Sequence, residues 1–181
     1  PVGLKLEGEG ELRDGFTGVL AAVAPQAAYG DCAAQGASLY GKLTVKDEKP
    51  NFAGPVRLGS LACSKQGLRL AKADVALAVA LDPRLDGAEG SIEASSGALA
   101  LGEQRAASTS GKARFAWRQQ ALTADYDLGA AGIATPQAAL VALNVSGALR
   151  SQDNFARMEI TGDAKGSGLR LGSRLDAALA G

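Results

Sequence analysis

Apolar and polar residues alternate with period two along nearly the whole chain. The opening run is the cleanest. Val2, Leu4, Leu6, Gly8, Gly10 and Leu12 fall on one side, and Lys5, Glu7, Glu9, Glu11 and Arg13 on the other. Successive side chains of a strand point to opposite faces, so this pattern predicts a half-buried β-strand. The same rhythm recurs from Ala37 to Val45, from Phe52 to Leu58, from Val75 to Leu81 and from Gly90 to Ala94. It continues from Ala113 to Trp117, Leu122 to Leu128, Val141 to Val145 and Ala156 to Ala164. In the Val75 run the alternate positions are Asp74, Ala76, Ala78 and Ala80, which predicts a strand covered on both faces.

Turn-forming clusters separate the runs: residues 46–50, 82–87, 118–120 and 151–154. Links this short join antiparallel neighbours, because a parallel crossover needs a dozen residues or more. The prediction is mainly β: a large curved antiparallel sheet, a meander or groove, with a short helix at the C-terminus. Gly41, Gly54, Gly90 and Gly162 lie inside strands, where glycine marks a bulge or bend. Two helices are candidates. Phe16 to Ala28 is Ala-rich but interrupted by Gly18 and Pro25. Near residue 174, Ser173 and Asp176 resemble a capping box, with Leu171, Leu175 and Leu179 on one stripe. No domain boundary is visible, so residues 1–181 are expected to form a single β domain. Without an initiator Met or a signal peptide, the chain reads as a segment of a longer protein.

Each strand contributes its apolar phase. Leu39, Leu43, Val56, Leu58, Val75, Val79, Ile92, Phe115, Leu122, Tyr126, Leu143, Met158 and Ile160 are therefore expected to line one interior. Phe115 and Trp117 share a strand face, where core anchoring is preferred to a binding pocket.

Composition narrows the chemistry. Apolar residues make up 46% of the chain and charged ones 21%, but aromatics only 4%, so any interior is built from small side chains. Nineteen basic residues balance nineteen acidic ones, leaving no basic surface for nucleic acid. No apolar run is long enough for a membrane-spanning helix. The absence of His removes the usual general base, and no Ser–Lys pair replaces it. Ser108 to Lys112 resembles a phosphate loop, but Ala106 and Ala113 stand where a Gly and a Ser or Thr are required. Asp125 and Asp127 share a face without a third ligand, so a solvated surface is preferred to a metal. No catalytic residue, metal or cofactor is assigned. Cys32 and Cys63 lack CxxC spacing and a histidine, which leaves a disulfide or two inert buried thiols. The bridge is preferred, and it would place the chain outside the cytosol.

The Ala-rich alternating strands, the Cys32 and Cys63 pair, and two phrases carry a resemblance. The phrases are GALALG at residues 97–102 and GSGLRLGSRLD at 166–176. Together they resemble proteobacterial envelope proteins of the YdbH type, within the AsmA-like and TamB-like group. The resemblance implies a long protein anchored at the inner membrane, crossing the periplasm as a curved sheet. Its apolar inside would take phospholipid acyl chains toward the outer membrane. Implied partners are those acyl chains, the rest of the same long chain and envelope membrane proteins. The resemblance brings no catalytic residues. The alternative is a structural or adaptor β-domain of the envelope that binds another protein through a sheet edge.

Overall fold

A computed structural model describes residues 2–11, 13–153 and 155–172. The chain runs as β1 (Gly3–Glu9), β2 (Phe16–Tyr29), β3 (Cys32–Lys46), β4 (Lys49–Cys63), β5 (Leu68–Leu81), β6 (Gly87–Ser96) and β7 (Leu99–Leu101). It continues as β8 (Gln104–Ala106), β9 (Ser108–Arg118), β10 (Ala121–Ala134), β11 (Ala138–Gln152), β12 (Arg157–Ser167) and β13 (Arg170–Leu171). All thirteen join one sheet, ordered β1-β2-β3-β4-β5-β6-β9-β10-β11-β12, and every ladder is antiparallel. β7 and β8 prolong β6 and β9 as a short hairpin between β5 and β10, and β13 prolongs β12 along β11.

The Ala-rich stretch from Phe16 to Ala28 is not a helix. It is strand β2, laddered to β1 on one side and β3 on the other. Alanine's helix preference is worth only tenths of a kcal/mol per residue, and two backbone ladders outweigh it. Pro25, which lacks an N–H, falls where the β2–β3 ladder skips a pair. The C-terminal helix expected from about residue 174 lies outside the described residues, and Leu171, the first leucine of its stripe, belongs to β13. Nor is β5 covered on both faces: Ala76 and Ala78 are exposed.

The sheet has no second layer among the described residues. Strands pack substantially only against their ladder neighbours. Phe16, Val45, Cys63 and Ala106 are buried, but among the described residues no large side chain is fully so. A β-sandwich of this size would seal its facing residues.

The alternation also slips along one line. Gly36, Lys72, Gly132 and Gly168 have positive φ between 51° and 67°, within strands or at their junctions. At this crease consecutive inward positions lie three residues apart instead of two: Ala34 then Ala37, Leu58 then Leu61, Leu70 then Ala73, Ala130 then Ile133. In β3, β5 and β10 a left-handed residue turns the strand by one side-chain position, whereas β4 makes the same step without a positive φ. The β4 and β5 ladder keeps its register across the crease, so the slip occurs in neighbouring strands together.

Candidate functional site

The candidate site is the sheet face on which the apolar phases meet. Residues directly opposite in a ladder project to the same side, so the register fixes which residues share a face. One row runs Leu39, Val56, Val75, Ala94, Gly111, Leu128, Val145, Ala164. A second runs Leu43, Phe52, Val79, Gly90, Phe115, Ala124, Leu149, Ile160. Ile92 and Tyr126 flank Ala113 in a third, and Leu122 and Met158 flank Ser151 in a fourth. Leu58 faces Ala73, and Leu143 lies between Ala130 and Gly166. All thirteen residues singled out from the sequence thus lie on one side of the sheet.

Sequence alternation alone missed the part of this face beyond the crease. There Ala34, Leu61, Leu70, Leu99 and Ala106 form a continuous row, and Ile133 pairs Leu140. A depression of about 610 Å³ bridges the two parts, with Leu70, Val75, Leu99, Leu128, Leu143 and Val145 in its apolar lining. Three of the polar groups here are hydrogen-bonded locally. Ser96 and Thr109 share a 2.6 Å hydrogen bond, and the Tyr126 hydroxyl donates to the Thr161 carbonyl at 3.3 Å. Ser151 Oγ is buried without a partner among the described residues.

Small and aromatic residues are matched on this face. Gly8 opposes Gly18, and Gly147 opposes Gly162. A Cβ on Gly8 or Gly18 would meet the Phe16 ring within 2.8 Å, and one on Gly162 would meet the Tyr126 hydroxyl at 3.1 Å. The aromatics lie across neighbouring glycines and cover backbone that has no side chain of its own. Phe115 and Trp117 do not anchor a filled core, since Trp117 stays 37% exposed.

The opposite face is polar. Arg57 pairs Asp74 at 3.3 Å, Lys112 pairs Asp127 at 3.9 Å and Arg118 pairs Glu89 at 2.6 Å, all exposed. Asp125 and Asp127 oppose Arg114 and Lys112, so each of these carboxylates faces a cation. Cys32 and Cys63, directly opposite on β3 and β4, are joined by a disulfide across 31 residues. Among the described residues no helix is long and apolar enough to cross a membrane.

The described sheet is thus antiparallel, with one largely apolar and one charged face. The chain belongs to the YdbH-like family: the family's sequence profile, described as "Intermembrane phospholipid transport protein YdbH", matches residues 4–181. This is a family of lipid transport, not of enzymes. No curated relative and no solved structure matches the chain.

Proposed function

We propose that this chain is a non-enzymatic, periplasmic segment of an envelope protein, and that phospholipid acyl chains travel between the inner and outer membranes along its apolar face, which acts as a groove. The observation that carries the reading is the unsealed apolar face of a thirteen-stranded sheet in a family described by intermembrane phospholipid transport. Acyl chains need a dry lining without directional contacts, and aliphatic, Ala and Gly side chains supply one. Each methylene taken from water contributes about 0.8 kcal/mol, so a chain gains affinity from length alone and can slide without breaking specific bonds. The disulfide accords with an oxidising compartment.

The partners in this reading are acyl chains, the rest of a longer inner-membrane-anchored protein and envelope membrane proteins. Strand addition at a sheet edge is favoured by β1 and β12, each with one ladder neighbour among the described residues and with Leu4, Leu6, Met158 and Ile160 exposed.

Native mass spectrometry of gently extracted protein tests the reading. The expected result is phospholipid bound to the folded chain and removed by detergent without unfolding. Protein that carries no lipid, and takes none from phospholipid vesicles, refutes it.

A further inference from the structure

Beyond the crease, the row behind the apolar one has a composition found nowhere else in the sheet. Arg69 on β5 opposes Ala100 on β7, Ala100 opposes Arg105 on β8, and Arg105 opposes Ala134 on β10. Ala134 opposes Ala139 on β11, which opposes Arg170 on β13. One continuous row across six strands therefore reads Arg-Ala-Arg-Ala-Ala-Arg on the face opposite Leu70, Leu99 and Ala106. Each arginine lies one residue in from the end of its strand, at Leu68, Gln104 or Leu171. These ends form the rim of the sheet.

The charges differ from those on the other side of the crease. There, Arg57, Lys112 and Arg118 are paired with carboxylates across the ladder, and Arg114 and Arg150 stand opposite Asp125 and Glu159 in register. Along the arginine row, Arg69, Arg105 and Arg170 are exposed, and no carboxylate of the described residues lies within ion-pair distance of them. From crease to rim the described residues also include Lys65 and Lys72, against only Asp31 and Glu103 as acids. A chain with zero formal charge is thus positive along one rim. Strands lie about 4.8 Å apart, so the first two arginines are separated by roughly 10 Å and the next two by roughly 14 Å. That spacing separates three single-anion contacts and does not build one pocket.

We propose that Arg69, Arg105 and Arg170 bind the phosphate groups of phospholipids whose acyl chains lie on the adjoining apolar face. This inference rests on the groove reading and adds a polar coordinate to it. Arginine carries a flexible apolar stem and a guanidinium matched to phosphate oxygens. At the rim it reaches an ester that stays in water while the tails stay dry. Three exposed contacts in sequence hold a headgroup weakly at each step, as movement along the sheet requires.

The test loads the lipid-free chain from equimolar phosphatidylglycerol and diacylglycerol with identical acyl chains, then counts bound species by native mass spectrometry. An exposed ion contact changes affinity by up to about five-fold. The wild-type chain should therefore favour the phosphate-bearing lipid by about that factor, less at high salt. The R69Q/R105Q/R170Q variant should bind the same total lipid with the preference within about two-fold of unity, whereas R57Q/R114Q/R150Q should keep it. Equal preference in wild type and the rim variant, with lipid bound, overturns the arginine assignment and leaves the groove standing. No binding of either lipid overturns both. Inorganic phosphate is titrated separately, followed by amide chemical shifts. If it binds the lipid-free chain at the three arginines while lipid preference survives their removal, the row is a free-anion site and the headgroup assignment fails.

Discussion

The ring of Phe52 lies across Gly41 on the neighbouring strand, so closely that a Cβ at residue 41 would stand 2.6 Å from ring atom Cζ. The same Cβ would meet the Ala53 carbonyl oxygen at 2.5 Å. Gly41 is therefore fixed by both a side chain and a backbone. Gly41→Ala should destabilise the sheet by about 1–3 kcal/mol, the usual cost of overpacking. Phe52→Ala combined with Gly41→Ala should recover part of that loss but not all, because the carbonyl stays. Urea unfolding of the two single variants and the double variant measures the coupling; strict additivity would contradict the contact.

The disulfide closes a loop between β3 and β4 near the same rim as the arginine row. Replacing both cysteines by serine should cost about 3–4 kcal/mol by the chain-entropy argument for a loop of 31 residues. Equilibrium denaturation checks this, and a loss below 1 kcal/mol would mean that the ladder alone restrains the loop in the unfolded ensemble.

Leu143→Asp and Val79→Asp separate an open face from a filled core. A carboxylate sealed in a core without a partner costs several kcal/mol. Both residues are only half-buried, so the variants should stay folded and lose co-purifying lipid. Unfolded variants would point to a sealed interior, and folded variants with unchanged lipid would place the lipid elsewhere.

Lys72 adopts φ 51° at the crease, a conformation that costs an L-residue roughly 1 kcal/mol and glycine almost nothing. Lys72→Gly should raise stability by up to about 1 kcal/mol, and Lys72→Val should lower it by at least as much. Chemical denaturation of the pair decides; equal effects would show that the residue gives up its left-handed turn when substituted.

Much of the strand plan was legible because period-two patterning is a direct consequence of a sheet with one apolar face. The thirteen face residues all lie in stretches where that period is unbroken. Legibility ended where conformation departed from pattern. Lys72 carries no sign of a left-handed backbone in its side-chain chemistry, so Leu70 falls out of phase with the run it extends, and Leu61, its ladder partner on β4, shifts with it. β2 was obscured for a different reason: its alanines satisfy a helix propensity scale and a crowded sheet face equally well. The disulfide was half legible. Two isolated cysteines suggested a bridge, but only the register set Cys32 opposite Cys63.

The crease also governs how chains of this kind can change in length. Neighbouring strands shift phase along one line, so each segment between that line and a rim is counted against its neighbours. Deleting one residue inside such a segment would invert every side chain beyond it, turning leucines outward and arginines inward on that strand alone. Added or lost residues can be absorbed in the turns at either rim, where no partner strand keeps count. Relatives should therefore differ in loop length while each strand keeps its number of residues from crease to rim.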